Sequence, residues 1–380
     1  AKGTTLGADN GIGVATAMAL LTSTDIPHGP LEVLITATEE TGMDGANGLQ
    51  PGILKGDILL NLDSETEGEL YVGCAGGMDS TTTFSYKEEN VPAGSKAFRL
   101  SVKGLKGGHS GIDINLGRGN SNKILFRFLK TYAGELGIRI SSVTGGSLRN
   151  AIPRESFAVI TLPAANEAKL QELVKKATAT YKAEISAKDP DLQISADPIN
   201  TPVFVIDECT QSRLTDAIIA YPNGAVRMID SMPDTVETSN NLAIIKSENG
   251  KITVVTLMRS SVESAKEAMA QNIQAVGELA KADSIVFAGA YPGWKPNPDS
   301  AILKEMQEIY FKLYRKQPAI MAIHAGLECG ILGSKYPNWD MISFGPTICH
   351  PHSPDEKVNI ASVEKFWDFL KETLKNIPVK

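Results

Sequence analysis

The sequence predicts an α/β protein of two domains, with a mixed, largely parallel sheet flanked by helices and an inserted α+β domain. Three observations carry this prediction. Short, continuous apolar runs alternate with helical segments near the start of the chain, as in a parallel layer buried on both faces. The middle changes to alternating strands and long helices, in two successive rounds of the same pattern. The first pattern then resumes from about Gly289. A domain made of residues 1–77 and 288–380, interrupted by an insert at 78–287, is the simplest arrangement.

The elements follow in order. Residues 12–21, IGVATAMALL, predict a buried helix opened by the turn Asp9-Asn10-Gly11. LEVLITAT, residues 31–38, predicts a strand buried on both faces that ends at Glu39-Glu40, and DILLNL, residues 57–62, a second that ends at Asp63. In the insert, AFRLSVK at 97–103 alternates like a half-exposed strand, a helix is expected over 121–132, and FAVITLP at 157–163 is a strand before a helix at about 166–185. The second round has a helix near 208–220, strands near 242–246 and 252–258, and a helix near 262–282. This pattern predicts a duplicated antiparallel sheet with helices on one face. AILKEMQEIYFKLY and ASVEKFWDFLKETLK are amphipathic helices on either side of the short strand MISFG at 341–345.

Composition excludes several classes of function. The 380 residues are 42% hydrophobic and 21% charged, as in a soluble globular protein. Lys+Arg total 37 against 44 Asp+Glu, a net charge of -7 with no basic cluster, which argues against nucleic acid as a partner. No apolar run is long enough to span a bilayer and no secretory leader is visible, so no membrane partner is expected. Cys74, Cys209, Cys329 and Cys349 are scattered, which fits reduced thiols and a cytoplasmic location. The chain starts at Ala1 and reaches the Gly7-Ala8-Asp9-Asn10-Gly11 motif almost at once, so an upstream segment is expected.

Four candidate ligands fall just after predicted strands or in the loops beside them: Asp9, Glu40, Asp63 and His352. In open α/β sheets, ligands bind at the carboxyl ends of the strands. Three carboxylates and an imidazole in one place call for a cation, and a pair of divalent metals bridged by a carboxylate would neutralise them. Zinc accepts this oxygen and nitrogen mixture, and manganese or cobalt would also fit. Such a site polarises a carbonyl and makes water more acidic, which amide hydrolysis requires. Each residue also has a structural alternative. Asp9 could cap a helix, Asp63 could be a turn acid, Glu39-Glu40 could be a solvated strand end, and His352 could be a loop histidine with His350 as a rival ligand. Spacing alone leaves these alternatives open.

The motifs GADNGIG, TATEETGMDGA, LNLDSE, GLKGGHSG, GGSLRNAIPRE, HAGLECG and GPTICHPHSPDE, in this order, resemble the aminoacyl-histidine dipeptidases. These belong to the carboxypeptidase G2-like and aminoacylase-like zinc metallopeptidases, and the resemblance runs from Ala1 to Lys380. It implies hydrolysis of small dipeptides, Xaa-His and related ones, by water activated at two zinc ions. Asp9 would bridge the metals, Glu40 and His352 would bind one, and Asp63 the other. Glu39 would be the general base that takes a proton from water and passes it to the leaving amine. A cis peptide is implied at Asp9-Asn10. The insert would be the family's lid, with His109 steadying the oxyanion and Asn150 and Arg259 holding the substrate's carboxylate and carbonyl. Outside the resemblance, His109 reads as a solvated glycine-loop histidine and Arg259 as half of a strand-end salt bridge. His324 and Glu328 would line or support the pocket.

The chain departs from the family at one point. The family's upstream His-x-Asp motif does not occur before Asp9. That histidine shares a metal with Asp63, so the second metal is expected to bind poorly and the chain by itself to be inactive. Two other functions compete with the dipeptidase: a deacylase or amidase of N-acyl amino acids with the same fold, and a non-catalytic peptide-binding relative. Monomer and homodimer are both open.

Overall fold

A computed structural model describes residues 1–377, and the chain divides into two compact units, Ala1–Ala75 with Pro292–Lys380, and Gly76–Tyr291.

In the first unit, among the described residues, four strands form one mixed sheet in the order Ile58–Asn61, Asp340–Ser343, Glu69–Cys74, Ala319–Ile323. The first two run parallel, with Ile58 opposite Asp340 and Asn61 opposite Ser343. Ala319–Ile323 runs parallel to Glu69–Cys74. Apolar residues of the helices Ala301–Tyr314 and Ile360–Lys375 recur at helical spacing, and Ile302, Met306, Phe366 and Phe369 are buried. Ser300 and Asn359 open these helices by accepting from the amides of Leu303 and Ser362. Phe344, just past its strand, packs its ring against Phe366 and Phe369. No helix among the described residues is long and apolar enough to cross a membrane.

Two expectations fail in this unit. Residues 31–38 form no strand. A strand needs a hydrogen-bonded neighbour, and Ile58–Asn61 stands at the end of the sheet with Asp340–Ser343 as its one ladder partner among the described residues. The apolar run is therefore half exposed, with Ile35 at 57%. The helix Ala8–Thr22 forms where expected, but only one side of it is buried: Leu20 is covered whereas Met18 and Leu21 are exposed.

The second unit is built on one antiparallel sheet of nine strands among the described residues. One half holds Gln193–Ile199, Ser95–Lys103, Ser156–Pro163 and Arg139–Gly145. The other holds Met232–Glu248, Lys251–Ser260, Gly76–Ser85 and Ser284–Tyr291, with Gly224–Ile229 beside the first of these. The halves join where Ile245 and Lys246 pair with Gly145 and Thr144. Each contributes two helices, Ser121–Leu136 and Glu167–Ile185, then Glu208–Ala220 and Glu263–Leu279. A single apolar cluster takes in Phe98 and Leu100 from the sheet with Phe126, Leu170, Leu214 and Ile273 from the four helices. Arg99 and Lys103 are exposed on Ser95–Lys103, but Ser101 is buried, so that strand is covered more fully than its alternation predicts.

Candidate functional site

In the first unit, three side chains from distant parts of the sequence meet. The Nε2 atom of His352 lies 3.0 Å from Asp9 Oδ2 and 2.9 Å from Glu40 Oε2. Ligand atoms of Asp9, Glu40 and His352 all fall within 4.8 Å of one another.

Local structure explains each placement. Asp9 lies at the start of Ala8–Thr22, but its own dihedrals (φ -91°, ψ 106°) are not helical. The Asp9-Asn10 peptide is cis, and Asn10 Oδ1 accepts from the Gly13 amide at 3.0 Å. Glu39 and Glu40 open the four-residue helix Glu39–Gly42, which leaves Thr38 in the left-handed region (φ 59°). The amides of Gly42 and Met43 donate to Thr38 O, closing the turn. Asp63 follows Ile58–Asn61 by two residues, and its amide donates to Asn61 Oδ1 at 3.3 Å. Ser64 and Ser343 share a 2.6 Å hydroxyl contact there. The backbone approach is close enough that a Cβ on Gly345 would lie 1.7 Å from Ser64 O, so only glycine fits. His352 sits in the loop between the paired strands Ile348–Cys349 and Lys357–Val358. Its rival His350 lies outside the three-residue group.

Electrostatics follow from the crowding. Burial, then the charges of Glu40, Glu328 and Asp9, push Glu39 up to about 7. Burial, then Glu39, Asp9, Glu328 and Glu40, push Asp63 up to about 8. Glu40 is raised by burial and by Asp9. Burial pulls His352 down, but the carboxylates of Glu40 and Asp9 outweigh it and hold the imidazole above its ordinary range. Asp63 is thus within electrostatic reach of the three-residue group without being a member of it. Acids this close either share protons or share a cation. Oxygen and imidazole donors at these separations fit a divalent metal, with Asp9, Glu40 and His352 as the residues able to hold it.

Glu328 opens the helix Glu328–Lys335 and is buried, which raises its carboxyl. His324, also buried, directly follows Ala319–Ile323. Two acids at the site went unnoticed in the sequence. Glu65, two residues past Asp63, is raised by burial and then by the charge of Asp9. Glu356 accepts hydrogen bonds from the backbone around Asp9. Both stand inside the motifs LNLDSE and GPTICHPHSPDE, but nothing local marks them out.

The second unit holds its own group. His109 pairs with Ala151 across the short ladder Gly108–His109 and Ala151–Ile152, and the Ser110 amide donates to Asn150 O at 2.8 Å. His109 Nδ1 accepts from the amides of Gly111 (3.2 Å) and Ile112 (3.1 Å), so the neutral ring carries its proton on Nε2. Burial, then Arg259, keep the ring below its usual range. Asn150 is exposed. Arg259, on Lys251–Ser260, is 5% exposed, and its guanidinium donates to Tyr291 Oη (2.9 Å) and Ser110 Oγ (3.4 Å). The strand-end salt bridge considered for Arg259 is not seen: among the described residues no carboxylate lies within ion-pair distance of it.

Comparisons with known proteins agree with this architecture. Residues 100–188 match the peptidase dimerisation domain of the M20 peptidases. A crystal structure of aminoacylhistidine dipeptidase from Vibrio alginolyticus superposes with a TM-score of 0.97 at 51% identity, over 100% of this chain and 77% of that one. Aminopeptidase PepT from Bacillus cereus shares the fold, with a TM-score of 0.56 at 14% identity over 98% of this chain and 71% of its own. The cytosol non-specific dipeptidase of Escherichia coli (strain K12) is 46% identical over all 380 residues and 78% of its own length. At that identity and coverage, the chain belongs to the aminoacyl-histidine dipeptidase family of M20 peptidases.

Proposed function

We propose that the protein is a metal-dependent dipeptidase acting in the cytoplasm on small dipeptides, with Xaa-His among its substrates. The observation that carries this is the convergence of Asp9, Glu40 and His352 within 4.8 Å, beside a second acidic pair, Glu39 and Asp63. A bound divalent cation, zinc by its preference for this donor set, supplies acidity to water and polarises the scissile carbonyl. Asp9, Glu40 and His352 would hold this cation, and Asp63 would serve a second one.

Glu39 is the general base. Burial, then its acidic neighbours, push its carboxyl up to about 7, so its proton affinity is within range of water activation near neutral pH. It accepts the proton of the attacking water and returns it to the leaving amine. In the second unit, His109 offers an Nε2–H donor, the form suited to a developing oxyanion. Arg259 offers a buried guanidinium with neutral partners, suited to a substrate carboxylate, and Asn150 contributes a further polar contact. His324 and Glu328, both buried in the first unit, support the metal-binding residues from within that unit.

The test compares beta-alanyl-histidine with an N-acetyl amino acid on one metal-loaded preparation of the full-length protein. Faster cleavage of the dipeptide is expected, with a loss of about 10²-fold or more in kcat for Glu39→Gln at unchanged metal content. Preference for the N-acyl substrate, or full turnover by the variant, overturns the assignment.

A further inference from the structure

Glu356 closes the loop that carries His352, and it is 9% exposed. Its Oε2 accepts from the Gly7 amide at 2.9 Å, and its Oε1 from the amides of Ala8 at 2.8 Å and Asp9 at 3.0 Å. These amides lie at the entry of Ala8–Thr22, where backbone N–H groups lack partners within the helix. An anionic acceptor is favoured there by direct hydrogen bonds and by the helix dipole.

Three features give this contact more than a capping role. His352, four residues earlier in the same loop, touches the side chain of Asp9 at 3.0 Å. One loop therefore holds Asp9 from both ends, the backbone through Glu356 and the carboxylate through His352. The loop is also braced from within. The Glu356 amide donates to Ser353 O at 3.1 Å, Ser353 Oγ donates to His350 O at 3.0 Å, and the Asp355 amide donates to Ser353 Oγ at 3.2 Å. Finally, Asp9 and Asn10 depart from helical dihedrals, so the helix itself does not fix the direction of the Asp9 carboxylate.

We propose that Glu356 is a positioning residue for the metal site, clamping the Gly7–Asp9 backbone so that the Asp9 carboxylate stays in register with His352. This rests on the metal site proposed above. Partners that orient metal ligands in this way change affinity by about 10–100-fold when removed.

The test uses the full chain with cobalt as the probe. Cobalt affinity is measured by equilibrium dialysis, and the visible absorption of the bound ion reports its ligand geometry. Glu356→Gln keeps the size of the side chain but loses its charge and one acceptor oxygen. It is expected to weaken cobalt binding about 10–100-fold and to alter the spectrum. Ser300→Ala, which removes a cap elsewhere in the same unit, is expected to lower thermal stability with cobalt affinity unchanged. Glu356→Asp keeps the charge on a shorter arm and serves if the Gln variant does not fold. A folded Glu356 variant with parental affinity and spectrum, whatever its melting temperature, reduces Glu356 to a cap and overturns the proposal while leaving the metal site intact. A parent chain that takes up no cobalt removes the metal site and this proposal together.

Discussion

Removal of the Asp189 carboxylate should release the loop that presents His109. Asp189 is fully buried, and its two oxygens accept from the amides of Lys106 and Gly119, each at 2.7 Å. Those amides flank the loop holding His109, so a single carboxylate pins both of its ends. Further ties act between those ends: Asp113 accepts the His109 amide at 2.8 Å and pairs with Arg118 at 3.3 Å, and Gly108–His109 pairs with Ala151–Ile152. At one end, Gly104 (φ 78°) leaves no room for a side chain, since a Cβ would lie 1.9 Å from Asp191 O. Hydrogen bonds to a charged group contribute about 1.5–3 kcal/mol each, and the loss of the acceptor leaves the buried Gly119 amide and the part-buried Lys106 amide unpaired. Asp189→Ala should therefore cost about 3–5 kcal/mol, and Asp189→Asn, with one acceptor oxygen left, about half as much. Urea unfolding followed by far-ultraviolet circular dichroism gives the stability change, and hydrogen exchange at Lys106 and Gly119 gives its location. A loss below about 1 kcal/mol for Asp189→Ala, or unchanged exchange at both amides, refutes the argument.

Further predictions concern the charged groups. Arg259→Lys should raise KM for a dipeptide about 10–100-fold, because an ammonium cannot reproduce the fork of a guanidinium; the C-terminal amide of the same dipeptide should be much less affected, and equal effects on both would contradict a carboxylate contact. The metal-free chain should lose stability as pH rises from about 4 to 8. Glu39 at about 7 and Asp63 at about 8 hold more protons folded than unfolded across that window, so unfolding becomes easier as they ionise. Saturating zinc should flatten or reverse the slope, since a bound cation favours the ionised acids; scanning calorimetry at several pH values in chelator and in zinc distinguishes the two cases.

Much of the fold was legible because its signals are local. The helices Glu167–Ile185, Glu208–Ala220 and Ile360–Lys375 follow apolar spacing that any short window reveals. Strand formation is different. LEVLITAT has the composition of a buried strand, but composition does not supply a ladder partner, and residues 31–38 stay irregular. The site divides along the same line. Asp9, Glu40 and His352 stand in motifs dense with glycine and acid, so the sequence singles them out, whereas their meeting depends on contacts 343 residues apart. Glu356 lies within such a motif too, yet its role is set by amides 347 to 349 positions away and by no neighbour in the chain. Arg259 has the opposite history. Its position near a strand end suggested a salt bridge, and only the fold shows that its near partners are hydroxyl groups.

Asp9, Glu40 and His352, as proposed above, should together hold a divalent cation. Elemental analysis of the chain after equilibration with a small excess of zinc, beside His352→Ala treated identically, tests it most directly. At least one tightly held zinc per parent chain is expected, with a clear loss in the variant. No zinc in the parent, or equal zinc in both, would contradict it.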